Sequence, residues 1–80
     1  MEIKMKMPDL ATNEGSEIGI TRWLVEVGQP VERGQPLVEV ETDKAVQEVE
    51  CIANGMLKAV HVQTGDQVSI GHIIATIETN

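Results

Sequence analysis

Lys44 stands as a lone cation in the acidic stretch ETDKAVQEVE, Glu41 to Glu50. Its primary amine ends a flexible four-carbon stem and can be acylated, so a lysine held apart from other cations is a mount on which a second molecule can be carried. The flanking residues favour such a display. LVEVET and AVQEVE alternate apolar and polar side chains, and each reads as a strand with one wet face, with Asp43-Lys44 at the reversal between them. With a two-residue turn there, Thr42 opposes Ala45, Val40 opposes Gln47, Val38 opposes Val49 and Glu39 opposes Glu48. Like charges across a strand pair are mildly unfavourable, and Asp-Lys lacks the glycine that tight two-residue turns favour. A turn that is poor for folding invites a functional reason. The plainer alternative is that Lys44 is one of 6 basic residues and is simply solvated.

The other reactive side chains carry less. His61 reads as a strand residue and His72 follows a turn glycine, and no third ligand stands at metal spacing from them. Cys51 has no cationic neighbour in sequence to activate a thiolate, and reads as a small core-edge residue. Trp23 falls at an alternating position and reads as core. Met5-Lys6-Met7 lies in a first strand where alternation makes both methionines core residues. No phosphate loop, nucleophile elbow or paired catalytic carboxylate is present, and the carboxylates around Lys44 lie on open strands with no pocket to raise their pKa.

The elements that must position Lys44 are strands. Apolar residues recur at period two in EIKMKMP, ITRWLVEV, LVEVET, AVQEVE, MLKAVHVQ and HIIATIE, with Trp23, Val25 and Val27 on one side of the second run. Each run is short and bounded by Gly, Pro, Asn or Asp, and none holds a helical period. The pattern predicts an all-β chain of about eight short strands, with Asn54-Gly55 as a hairpin turn. At 80 residues this is one domain, spanning 1–80. The net charge of −7 and a single aromatic residue argue against nucleic acid; acidity keeps a domain soluble and also steers it toward basic partner surfaces. No apolar run approaches a membrane span, and no signal-peptide layout stands at the start. One cysteine makes an internal disulfide impossible and fits a reducing compartment, the cytosol of a bacterium or a mitochondrial matrix.

The chain also repeats itself. Residues 15–43 slide without a gap onto 52–80. Val25 then meets Val62, Gly28 meets Gly65, Val31 meets Val68, and Gly34 meets Gly71. Ile20 meets Leu57, Trp23 meets Val60, Leu37 meets Ile74, and Val40 meets Ile77. The shared frame is Gly-x-x-Val-x-x-Gly, as GQPVERG and GDQVSIG, with glycines where positive φ or a tight reversal is needed. Neither half can bury its apolar face alone, so the two share one core. The expected fold is a flattened β-barrel or sandwich of two small antiparallel sheets with quasi-two-fold symmetry. Asp43 corresponds to Asn80, so the lysine tip and the chain's end are expected at opposite ends of the molecule.

With strand pattern, turn glycines and lysine in place, ETDKA resembles the lipoyl-attachment motif of the lipoyl domains of 2-oxo acid dehydrogenase acyltransferases. MPDL, ITRWLVEVGQPVERGQPLVEVETDKAVQEVE and NGMLKAVHVQTGDQVSIGHIIATIE extend the likeness over nearly the whole chain. Gln47, where that family usually has an apolar residue, and the loop ATNEGSEIG depart from it. The resemblance implies that Lys44 carries lipoate in amide linkage. It implies that Asp43 and Ala45 are read by a lipoate ligase or lipoyl transferase, with Glu41 and Thr42 completing the attachment site. The loop from Asp9 to Glu17, with Asp9, Asn13, Glu14 and Glu17, is then a contact for the thiamin-dependent 2-oxo acid dehydrogenase. The arm would pass acyl groups to an acyltransferase core and electrons to a flavin dihydrolipoamide dehydrogenase, the domain itself being monomeric and non-catalytic. Ala45 leans toward pyruvate or branched-chain complexes. Biotin-carrier domains share this architecture but present Met-Lys-Met at the turn. An unmodified acidic module that binds a basic protein is the alternative of a different class.

Overall fold

The computed structural model describes residues 1–10, 17–43 and 45–79. These form eight strands and no helix: β1 (Glu2–Lys6), β2 (Ile18–Trp23), β3 (Pro30–Val31), β4 (Pro36–Glu41), β5 (Val46–Glu50), β6 (Gly55–Val60), β7 (Gln67–Val68) and β8 (Ile73–Glu78). They make two antiparallel four-stranded sheets, ordered β1-β8-β6-β3 and β5-β4-β2-β7. Among the described residues no strand pairing joins one sheet to the other, so of the two expected forms the chain adopts the flattened sandwich, not a closed barrel.

The internal repeat is carried through to the backbone. β2, β3 and β4 fall residue for residue on β6, β7 and β8. Even the irregularities correspond. The register shifts at Ile20/Arg22 in β2 and at Leu57/Ala59 in β6, and again beside Leu37 in β4 and Ile74 in β8. A bulge of this kind turns two successive side chains inward where strict alternation allows one. Leu37 and Val38 are both buried as a result, and so are Ile74 and Ala75. β5 and β1 complete the two halves outside the gapless slide, with the same alternation of exposed and buried positions.

Each sheet borrows a strand from the other half: β3 pairs with β6, and β7 with β2. The turn glycines stitch the exchange. Gly28 N–H donates to the Leu57 carbonyl at 2.7 Å, and its counterpart Gly65 to Ile20 at 2.8 Å. Gly28, Gly34, Gly65 and Gly71 have φ of 94°, 87°, 96° and 90°. A side chain at any of them would meet nothing within 4 Å, so it is backbone conformation, not space, that calls for glycine there.

The core lies between the sheets and is aliphatic, with Met5, Ile18, Leu37, Leu57, Ile74 and Ile77 among its buried members. Trp23 is half-buried against it and donates its indole N–H to the Val62 carbonyl at 3.0 Å, the partner that a buried indole needs. Cys51 is buried, and its Sγ–H donates to the Ala53 carbonyl at 3.0 Å.

Three expectations are corrected. Val27 is 56% exposed, because β2 ends at Trp23 and the chain is already turning. His61 lies just beyond β6 and is exposed. Asn54-Gly55 is not a hairpin turn, since β5 and β6 belong to different sheets and the segment crosses between them. Gly55 is required for another reason: a Cβ there would lie 2.1 Å from the Glu78 carbonyl oxygen.

The two ends of the sandwich differ. β5 runs away from the β4–β5 turn, and the crossover after it delivers Gly55 and Met56 beside Glu78. There Met1 and Thr79 are tied together by backbone hydrogen bonds. The turn and the chain ends are thus separated by the length of β5, in a molecule whose longest extent is 36 Å.

Candidate functional site

The β4–β5 hairpin has the register expected from its sequence. Val38 faces Val49, Glu39 faces Glu48, Val40 faces Gln47, and Glu41 faces Val46. Beyond the last pair the strands are closed by Thr42 and Ala45. Thr42 N–H donates to the Ala45 carbonyl at 2.9 Å. The Thr42 hydroxyl donates to the same carbonyl at 2.9 Å and accepts the Ala45 N–H at 3.1 Å. Asp43 and Ala45 are exposed, whereas Thr42 is 9% exposed. Lys44 lies outside the described residues, as do Asn13, Glu14 and Asn80. What the fold supplies is a firmly closed neck with an exposed residue on each side of position 44.

The outer face of the sheet behind this tip is acidic. Glu39 and Glu41 on β4 stand beside Glu48 and Glu50 on β5, and the side-chain alternation of both strands turns them away from the core. Arg22 on β2 answers one of them, with Nε 3.6 Å from Glu39 Oε2. The other sheet carries Lys4, Lys6 and Lys58, all exposed. Lys58 pairs with Glu2; the hydrogen bond and the charge of the ammonium hold the Glu2 carboxyl below the usual carboxylate range, and Glu2 in turn raises Lys58. The four glutamates of β4 and β5 thus cluster behind the tip, while Lys4, Lys6 and Lys58 lie on the other sheet among Glu2 and Glu78.

Two further residues named from the sequence lie on segments next to the hairpin. Exposed Glu17 immediately precedes β2, whose Gly19 pairs with Glu41 on β4. Asp9 adjoins Leu10, whose carbonyl accepts from Gln47 Nε2 at 3.4 Å. Gln47, the departure from the family pattern, thus ties the chain after β1 to the hairpin. Val46, beside the tip, is 56% exposed and faces Glu41, an apolar side chain in phase with Glu48 and Glu50, which the alternation of AVQEVE contains.

A groove of about 280 Å³ runs between β1 and β5, lined by Met5, Lys6, Pro8, Leu10, Glu48, Val49, Glu50 and Ile52. Of the described tip residues, Glu41, Thr42, Asp43 and Ala45 are not among its lining. Among the described residues no group of three or more His, Cys, Asp or Glu could hold a metal ion. His61 Nε2 lies 2.8 Å from Thr76 Oγ1, on the opposite sheet.

A family model, Biotin_lipoyl, described as "Biotin-requiring enzyme", matches residues 3–77. The succinyltransferase component of the 2-oxoglutarate dehydrogenase complex of Bacillus subtilis is 42% identical over 74 residues, which is 92% of this chain and 18% of that protein. The acetyltransferase component of the pyruvate dehydrogenase complex of Zymomonas mobilis is 36% identical over 78 residues, again 18% of that protein. The chain thus spans less than a fifth of these curated relatives. Among solved structures, the lipoyl domain of the 2-oxoglutarate dehydrogenase complex of Azotobacter vinelandii superposes with a TM-score of 0.77 at 28% identity, covering 96% of each chain. Urea carboxylase of Kluyveromyces lactis superposes with a TM-score of 0.78 at 20% identity, over 98% of this chain and 6% of that one, a likeness of fold alone.

Proposed function

The chain belongs to the biotin- and lipoyl-attachment family, and from that membership we propose that it is a lipoyl carrier domain with Lys44 as its acceptor. The observation that carries this reading is the β4–β5 tip, a neck closed by Thr42 and Ala45 with exposed Asp43 and Ala45 flanking position 44. A covalently mounted group fits such a tip, because an arm that must visit other active sites has to be held out from the body that carries it. When attached, a lipoyl group supplies a cyclic disulfide that opens as it takes up an acyl group and two electrons.

The chain's own residues present and steer. The hairpin keeps position 44 away from the chain ends, where a tether would join. Tethering then turns encounters with partner sites into near-intramolecular ones. The acidic face of Glu39, Glu41, Glu48 and Glu50 favours approach of a basic surface on a thiamin-dependent 2-oxo acid dehydrogenase. Asp43 and Ala45 are the residues a ligase meets first. The parent chain is read as a dihydrolipoyllysine-residue acyltransferase working with that dehydrogenase and with a flavin dihydrolipoamide dehydrogenase. The relatives include both acetyl- and succinyltransferases, so the likeness itself does not choose the acyl group.

Lipoate is favoured over biotin by the fate of Met5-Lys6-Met7. Both methionines are 1% exposed core residues beside the sheet edge, and the turn has Asp43-Lys44-Ala45 instead. The test is intact mass after incubation with lipoate, ATP and a lipoate ligase, with a biotin ligase and biotin in parallel. One lipoyl adduct, mapped to Lys44 and absent from Lys44→Arg, is expected. An adduct on another lysine, biotin in its place, or no adduct refutes the reading, and the last favours an unmodified acidic interaction module.

A further inference from the structure

A two-residue reversal between antiparallel strands usually draws on glycine or asparagine at its centre. The β4–β5 turn has Asp43-Lys44 there, and a side chain does what the local sequence does not. In the usual closure, the N–H after the turn donates to the carbonyl before it. Here the Ala45 N–H goes to the Thr42 hydroxyl at 3.1 Å, and that hydroxyl hands its own proton to the Ala45 carbonyl at 2.9 Å. One hydroxyl has a proton to donate and lone pairs to accept with, so a single Oγ1 engages both backbone groups of Ala45. Thr42 is also buried, at 9% exposure, with its N–H on the same carbonyl at 2.9 Å.

We propose that Thr42 is a positioning residue for modification of Lys44: its hydroxyl fixes both backbone groups of Ala45, the residue that follows the acceptor in the chain. This deepens the lipoyl-carrier reading and rests on it. In the ligation, the neutral Nζ attacks the carbonyl carbon of lipoate activated as its adenylate. A C–N bond forms, the C–O bond to AMP breaks with the electron pair leaving on AMP, and the surplus amine proton goes to solvent. Thr42 takes no part in these bonds. It reduces the range of positions from which the amine must find the ligase's site, and an amine on a loosened turn is presented correctly less often.

The experiment compares wild type, Thr42→Val and Thr42→Ser with lipoate, ATP and a lipoate ligase, following adduct formation by intact mass and exchange of the Ala45 amide by NMR. Valine keeps the branched shape without the hydroxyl, and serine keeps the hydroxyl. Thr42→Val is expected to lower kcat/KM for ligation about tenfold, the scale of one or two lost hydrogen bonds, and to speed exchange at Ala45. Thr42→Ser is expected to keep most of the rate and the protection. A Thr42→Val rate equal to wild type, or a loss in Thr42→Ser as deep as in Thr42→Val, overturns the proposal. So does an Ala45 amide that exchanges in the wild type as fast as an unprotected peptide, which needs no variant to fold. No adduct on the wild type overturns the lipoyl reading and this proposal together; an adduct on the wild type with an unchanged Thr42→Val rate overturns this one alone.

Discussion

Gly55→Ala isolates one contact. Gly55 opens β6 where the strand lies against the end of β8, and its φ is not in the left-handed region. An alanine Cβ there would sit 2.1 Å from the Glu78 carbonyl oxygen, 3.0 Å from its carbonyl carbon and 3.2 Å from Ile77 Cγ2. The first of these is more than an ångström inside van der Waals contact, and its partner is backbone, which cannot swing aside. The end of β6 must therefore move off β8, and the Met56–Glu78 pairing goes with it. Overpacking costs about 1–3 kcal/mol, and each backbone hydrogen bond lost adds about 1 kcal/mol. Together they come to roughly 3 kcal/mol, which in a domain of this size lowers Tm by roughly 12–24 °C. Urea and thermal unfolding measure it directly. A Gly55→Ala protein within about 0.5 kcal/mol of wild type, the range of an indifferent surface substitution, would refute the argument from close approach. Below its lowered Tm the variant should still accept modification at Lys44, because the strained contact is at the other end of the sandwich.

Gly34→Ala and Gly71→Ala meet no atom, only the cost of φ near 90°; each should lose about 1–2 kcal/mol by the same unfolding assay, and by similar amounts, since the sites are quasi-equivalent. Leu37→Ala and Ile74→Ala remove fully buried side chains at matching bulges, and each should cost about 2–5 kcal/mol in urea unfolding. Arg22→Ala breaks an exposed pair with Glu39; stability should change by less than about 1 kcal/mol, while the bared acidic face should raise the association rate with a basic dehydrogenase surface at low salt and lose that gain at high salt, read by stopped flow. The Glu2–Lys58 pair gives a pH signature. Glu2 is held below its usual value in the folded state, so its contribution is present above the unfolded pKa and is lost as pH falls through the lowered one. NMR titration should find the Glu2 midpoint low in the wild type and moved up in Lys58→Met.

Much of the β4–β5 hairpin could be read from its residues. Alternation from Val38 onward and through AVQEVE specifies which side chains face the core, and a slip of one residue would turn Val38, Val40 and Val49 out to water, so that register follows from burial; the burial of Leu37 beside them comes from the bulge. The gapless repeat identifies the glycines that adopt positive φ, because the same turn is written twice. It also pairs the strands of the two halves. The closure by Thr42 was not legible, since a threonine at a strand end has no mark that tells a core residue from one whose hydroxyl captures the backbone three residues on. Gln47 read only as a departure until its amide was seen on Leu10.

The amino-acid sequence by itself determined the strand class, the inward faces, the turn glycines and the tip at Asp43-Lys44-Ala45, since each depends on a period or a backbone preference that is local. Only the tertiary structure decided that the sandwich stays open, that β3 and β7 change sheets, that Asn54-Gly55 is a crossover held tight by the Glu78 backbone, and that the four glutamates of β4 and β5 lie on a different sheet from Lys4, Lys6 and Lys58. Those outcomes depend on which distant segments share a surface, and that is settled by packing two half-cores together, where residues far apart in the chain first meet.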